Sequence, residues 1–345
     1  MTRIVTSGTS QYDLHYLIIA PYRNTHNWRQ LMTAILEVNN LSKKFGEFFA
    51  VKGISFAIEE GEIFSLLGPN GAGKTTTISM LSSLLQPAGG EAIIGGHSVT
   101  RDPMAVRNII GVVPQEIALY EELTARENLI FWGQMYGMGG ARLKKRVDEV
   151  LAQIGLADKA NQRVKTYSGG MKRRVNIGVG LLHNPRLLYM DEPTVGIDPQ
   201  SRRNILDTVK GLNKQGMTVL YTTHYMEEAA ELSDRVGIMD HGQMIALGTQ
   251  KELTQKVGER DVLRLHIGEG QDATKLADAL RALPGVLQAS TTDHEVALMV
   301  PSAADALAPV VTKANELGVK IRSVDIQEPN LEAVFLQLTG RALRD

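Results

Sequence analysis

Gly68-Pro69-Asn70-Gly71-Ala72-Gly73-Lys74-Thr75 matches the pattern G-x-x-x-x-G-K-[ST] at every fixed position. Glycines in such a loop let backbone N–H groups converge on phosphate oxygens with no Cβ in the way. The run before it, Ile63-Phe64-Ser65-Leu66-Leu67, is short and apolar and reads as a buried strand. The run after it, Thr76 to Leu85, reads as the helix that the loop opens, with the positive end of its dipole facing the same oxygens. Strand, loop and helix in this order predict a nucleoside triphosphate site. Lys74 would reach the β- and γ-phosphates, and the Thr75 hydroxyl could sit on Mg2+. The expected phosphate contacts are Gly68, Pro69, Asn70, Gly71, Ala72, Gly73, Lys74, Thr75 and Thr76.

Further along, Leu187-Leu188-Tyr189-Met190 is a second buried strand, and it ends in Asp191-Glu192. Two acids at a strand end usually mean only a solvated edge. Beside a phosphate loop they have a use. Asp191 would hold Mg2+, through water. Glu192, one residue on, would orient and deprotonate the attacking water. Thr218 to Tyr221 is a third buried strand, and His224 lies just past its end. Gln115 follows Val112-Val113-Pro114, a context that on its own fits a surface residue equally well.

Ser168-Gly169-Gly170 opens a helix whose apolar face is expected at Met171, Val175, Val179 and Leu182. Ser168 is a good N-cap. Locally this is an ordinary capped helix, yet a helix start with two bare glycines is also a second anion site. If the intervening helical segment projects outward, this site cannot reach the phosphate loop of its own chain. It could reach that of a second copy. The run Lys172-Arg173-Arg174 reads as a solvated helix face.

The order phosphate loop, Gln115, Ser168-Gly169-Gly170, Asp191-Glu192, His224 resembles the nucleotide-binding subunit of the ATP-binding cassette (ABC) transporters. Over about residues 34–258 the resemblance is strong, and it is weaker beyond. It implies ATP and Mg2+ as ligands, and a head-to-tail homodimer with two ATP molecules between the subunits. Ser168, Gly169, Gly170 and Asp198 would act across the dimer on the partner's ATP. It also implies that His224 contacts the γ-phosphate and positions Glu192 and the water. Gln115 would sense Mg2+ and the γ-phosphate and link the core to the helical segment. Phe45, before Gly46, matches the aromatic that stacks on adenine, where the family usually has Tyr. The signature here is Tyr167-Ser168-Gly169-Gly170-Met171, where the family consensus is Leu-Ser-Gly-Gly-Gln. With Lys172-Arg173-Arg174 after it, and with Leu331-Glu332-Ala333-Val334-Phe335-Leu336 near the end, it is similar to ABC-2 type subunits, many of which export drugs, antibiotics or polysaccharides. An importer ATPase, or a soluble ABC ATPase acting on ribosomes or DNA, shares the same engine and stays open as an alternative. The single phosphate loop and the lack of a long heptad run speak against the soluble form.

The 345 residues suggest two domains, and 43% hydrophobic with 22% charged residues is ordinary for a globular chain. A net charge of −1 gives no electrostatic reason to bind nucleic acid. The absence of cysteine removes disulfides, thiolate catalysis and Cys-ligated zinc. No run approaches the roughly 18 apolar residues that cross a bilayer. Tyr16-Leu17-Ile18-Ile19-Ala20 stops at Pro21. A cytoplasmic chain, peripheral on the inner face of the cell membrane through a separate integral permease, is therefore expected.

Residues 1–31 are polar and without a clear period, and they read as a disordered extension or an upstream stretch joined by a misplaced start codon, with a partner-binding segment as the sharper alternative. Residues 34–258 alternate strand and helix, giving an α/β phosphate-loop NTPase core. A helical insertion is expected at about 115–170, because Thr124-Ala125-Arg126-Glu127 is a capping box. The faces expected there are Leu129, Trp132, Met135 and Tyr136, then Val147, Val150, Leu151 and Ile154. From 259 to 345 the predicted order β-α-β-β-α-β, followed by a last helix from Leu331, is that of a small ferredoxin-like α+β domain.

Overall fold

A computed structural model describes residues 34–257, 261–268, 270–292, 294–327 and 330–340. The expected extension at 1–31 lies outside the described residues.

Two long strands, β1 (Ala34–Phe45) and β2 (Phe48–Glu59), form an antiparallel hairpin closed at Phe45↔Phe48, with Gly46 at φ 56° in the turn. Next come β3 (Ile63–Leu67), α1 (Lys74–Leu81), β4 (Gly89–Ile94), β5 (His97–Ser98), α2 (Pro103–Ile109) and β6 (Ile110–Val113). The first sheet has the order β2-β1-β4-β5. Its inner residues, among them Leu36, Val38, Ile54, Phe56 and Ile58, pack with Phe64, Leu66, Met80 and Leu81. Helix α1 stops at Leu81, four residues earlier than expected, because Ser83 adopts φ 56° and breaks the helical run.

The insertion supplies α3 (Ala125–Met135) and α4 (Gly140–Gln153) and leads into α5 (Gly169–Leu181). The capping box forms as expected, with Thr124 and Glu127 satisfying each other's backbone N–H. Along α4 the predicted face is buried. Along α3 it is not: Leu129 is buried, but Met135 and Tyr136 are exposed and the inward positions are Ala125, Asn128, Leu129 and Gly133. On α5, Val175 and Leu182 are buried, whereas Met171 and Val179 are only half-buried.

The chain then builds β7 (Leu187–Asp191), α6 (Pro199–Lys214), β8 (Thr218–Thr223), α7 (Met226–Leu232), β9 (Arg235–Asp240), β10 (Gln243–Gly248) and α8 (Gln250–Val257). The central sheet has the order β10-β9-β3-β8-β7-β6, parallel except at its β10 edge. Every residue of β3, β7 and β8 is buried. Strands covered on both faces read as continuous apolar runs, which is why these three are visible in the sequence. On the face away from the first sheet, Leu188, Met190 and Tyr221 pack with Leu129, Val150, Val175, Ile205 and Val209.

The rest of the chain folds as β11 (Asp261–Ile267), α9 (Ala273–Arg281), β12 (Gln288–Thr292), β13 (Glu295–Val300), α10 (Ala303–Glu316), β14 (Ile321–Gln327) and α11 (Leu331–Thr339). Its sheet order is β12-β13-β11-β14, antiparallel throughout, the split β-α-β-β-α-β arrangement. Helices α9 and α10 cover one face. Helix α11 is capped by Asn330 and stopped by Gly340 at φ 72°. Its Leu331, Val334, Phe335 and Leu336 share a core with Leu67, Ala229, Val236, Ile238 and Leu253.

Candidate active site

Parallel strands place their carboxyl ends side by side, and the site is made from the loops that leave four of them. Leu67 lies opposite Thr223, Asp191 opposite Thr222, and Val113 opposite Met190. This register brings the phosphate loop, Glu192, His224 and Gln115 to one edge of the sheet.

A cavity of about 560 Å3 opens there, lined by Phe45, Phe48, Asn70, Gly71, Gly73, Lys74, Thr75, Thr76, Gln115, Glu192 and His224 among others. Gly73 caps α1 at φ 103°, and a Cβ on it would lie 2.6 Å from the Ala50 carbonyl oxygen. Only glycine lets the loop pass so close to β2. Lys74 is buried, and its Nζ donates to the carbonyls of Gly68 at 2.6 Å and Pro69 at 3.1 Å, with Glu192 Oε1 at 2.9 Å. These three partners use all three ammonium N–H groups. A phosphate entering the cavity therefore competes with Glu192 for Lys74.

Glu192 has φ 44°, an unusual backbone for a non-glycine residue and one that stores about 1–3 kcal/mol. Its N–H bonds Thr222 Oγ1 at 3.0 Å, and the same hydroxyl donates to Asp191 Oδ1 at 2.6 Å. One threonine of β8 thus fixes both acids. His224 lines the cavity, and its Nδ1 is buried 3.5 Å from Glu192 Oε1 without a hydrogen-bond partner. Phe45 is 49% exposed, which excludes a core role, and Phe48 beside it is more exposed still.

Behind His224 lies a buried hub that no motif in the chain announces. The Glu228 carboxylate accepts from Thr194 Oγ1 at 2.6 Å, Tyr221 OH at 2.8 Å and Thr223 Oγ1 at 3.0 Å, with Arg202 Nε at 3.6 Å. Arg202 also lies over the Tyr225 ring, which packs against His224. Burial, and secondly the Glu228 charge, push the Tyr221 phenol well above its usual range.

The remaining predicted residues lie apart from this cavity. Ser168 caps α5 by accepting from Met171 N–H, and Ser168 and Gly169 are exposed. Asp198 caps α6 through Ser201 N–H at 2.9 Å, and that bond holds its carboxyl below the usual range. A Cβ on Gly170 would lie 2.3 Å from the Ser201 Cβ, so this glycine lets the starts of α5 and α6 touch. None of Ser168, Gly169, Gly170 and Asp198 lines the cavity. The expectation of a solvated face at Lys172-Arg173-Arg174 is overturned. Lys172 pairs with Glu121, Arg174 donates to the carbonyls of Ile154 and Gly155, and Arg173 is 3% exposed. Their partners lie far off in sequence, where local charge pattern cannot see them.

A phosphate loop on a parallel sheet, with two adjoining acids at the end of β7, defines a phosphate-loop ATPase. Comparison with known proteins agrees. The family profile described as "ABC transporter" matches residues 51–195. The linearmycin resistance ATP-binding protein of Bacillus subtilis is 49% identical over 90% of this chain and 100% of its own length. The Nod factor export ATP-binding protein I of Ralstonia nicotianae is 38% identical over 91% and 96%. Among solved structures, the dimeric post-hydrolysis state of the ATP-binding cassette MJ0796, bound to ADP and Pi, aligns with a TM-score of 0.56 and 30% identity over 62% of this chain and 98% of that one. The chain belongs to the ABC transporter family as an ATP-hydrolysing subunit.

Proposed function

We propose that two copies of this chain close head to tail around two ATP molecules and drive a separate membrane permease that exports its substrate. The observation that carries this reading is the separation of the site into two formed halves. The cavity is lined by Lys74, Glu192 and His224, while the capped start of α5, a helix N-terminus suited to an anion, is exposed at Ser168 and Gly169 and does not line it. A second chain would bring Ser168, Gly169, Gly170 and Asp198 to the first chain's ATP. The solved relative named as dimeric supports this arrangement, and relatives named for resistance and export support the direction.

In this reading Phe45 stacks on adenine, residues 68–76 and Lys74 hold the phosphates, and His224 holds the γ-phosphate beside Glu192. Glu192 takes the proton of the attacking water as the new P–O bond forms and ADP leaves with the β-phosphate oxygen. Thr75, Asp191 and Gln115 supply oxygen donors suited to Mg2+, which neutralises phosphate charge when bound. Among the described residues no helix is long and apolar enough to cross a membrane. The permease would supply the path, with this chain on its cytoplasmic face. Tyr120, Met135 and Tyr136 are large, exposed and apolar at the insertion, and they suit such a contact.

Lys74→Ala removes a charged donor and is expected to weaken ATP binding about tenfold or more, read by titration with a fluorescent ATP analogue. The two-chain site is tested by tagged heterodimers of Ser168→Arg with Lys74→Ala chains. One composite site then carries both lesions and the other carries neither. One occluded ATP per heterodimer is expected. None, where wild-type dimers occlude, would overturn the shared site.

A further inference from the structure

The loop after β6 carries Gln115, and it hangs on two side chains of α5. Outside the sheet, residues 114–119 make no backbone–backbone hydrogen bond with any described residue. Arg173 instead donates from Nη1 to the Pro114 carbonyl at 2.8 Å and from Nη2 to the Gln115 carbonyl at 2.6 Å. One turn on, Asn176 donates to the carbonyls of Pro114 and Glu116 and accepts from Ala118 N–H. Both side chains are buried. No carboxylate among the described residues pairs with Arg173, and its Nε has no partner. A buried guanidinium without a counter-ion is costly. A planar fork held against two successive carbonyls is a stiff connection and gives that burial a purpose. Burial accordingly lowers the affinity of Arg173 for its proton.

We infer that Arg173 is a positioning residue that makes α5 a rigid lever between two sites. Its Ser168 end meets the partner's ATP, and its Arg173 fork fixes Gln115 in its own chain. Closure on one nucleotide thereby sets the Gln115 side chain at the other. Gln115 itself is exposed and lines the cavity, so its placement depends on this backbone support. The inference rests on the two-chain reading above.

The test uses the full chain with ATP and Mg2+. Arg173→Met keeps the bulk and removes the donors. It is expected to lower kcat about tenfold or more while KM for ATP changes less than about twofold, as for supports of a liganding residue. In a Gln115→Ala background the same substitution should change kcat by less than about twofold, because the part it positions is gone. If the two losses multiply, Arg173 does not act through Gln115 and the inference falls. A second measurement leaves Arg173 in place, so it does not depend on the variant folding. Hydrogen exchange of Glu192→Gln chains with trapped ATP should show amides 116–119 slowing together with those of 169–172. Slowing at 169–172 alone overturns the lever and leaves the two-chain site standing. Failure to trap ATP overturns both.

Discussion

Replacing Glu192 by glutamine is expected to lower steady ATP turnover at least a hundredfold, roughly, while ATP binds more tightly. The first effect follows from the removal of a proton acceptor at the end of β7, and a positioned base contributes about 10²–10⁴-fold. The second follows from the geometry of Lys74. Its three N–H groups are committed to Gly68 O, Pro69 O and Glu192 Oε1, and a carboxylate also repels an incoming phosphate. Glutamine keeps the shape, removes the negative charge, and frees the ammonium for the ligand. Phosphate release under saturating ATP measures the first effect and equilibrium titration the second. Turnover within tenfold of wild type would place the base elsewhere. Weaker binding would show that Lys74 and Glu192 do not compete with phosphate.

The other large effect is on stability. Glu228 is 2% exposed, and three hydroxyls donate to it from two segments: Thr194 after β7, and Tyr221 and Thr223 on β8. Removing the acceptor leaves those donors buried and unpaired and takes the nearest carboxylate from Arg202. Glu228→Ala is expected to cost about 3–5 kcal/mol in denaturant unfolding. Glu228→Gln retains one carbonyl acceptor and should cost clearly less. An alanine variant within about 1 kcal/mol of wild type would mean that water replaces the carboxylate. Since Arg202 and Tyr225 link this hub to His224, the glutamine variant should also lose turnover before it loses its fold.

The parts of the fold that were legible in the sequence are those with one strong local cause. Strands β3, β7 and β8 are buried on both faces, so each carries a mostly apolar stretch, residues 63–67, 187–190 and 219–221. The phosphate loop, the Thr124 capping box and Gly340 each answer a specific backbone demand. The four-stranded antiparallel sheet of β1, β2, β4 and β5 was not separated from the α/β alternation, because its bulged strands lose a clean period of two. Local charge pattern also failed at Arg173 and Glu228. Each looks like a residue of a solvated face, and each is buried against a partner distant in sequence, Pro114 and Gln115 for Arg173 and Thr194 for Glu228. The site residues taken from motif order do gather at one sheet edge or at the starts of α5 and α6. Their roles rest on the experiments above.

The docking of α11 has a consequence for biosynthesis. Phe335 and its neighbours complete the apolar core beneath Leu67, the residue from which the phosphate loop departs. Translation delivers the amino end first, so Leu67, Val236, Ile238 and Leu253 wait for a helix made hundreds of residues after Leu67. A chain released before Leu331 would carry that unfilled apolar face into solution, the kind of surface chaperones and proteases bind. A fragment ending before α11 would thus hold every nucleotide motif and still lack one wall of the core beneath the phosphate loop.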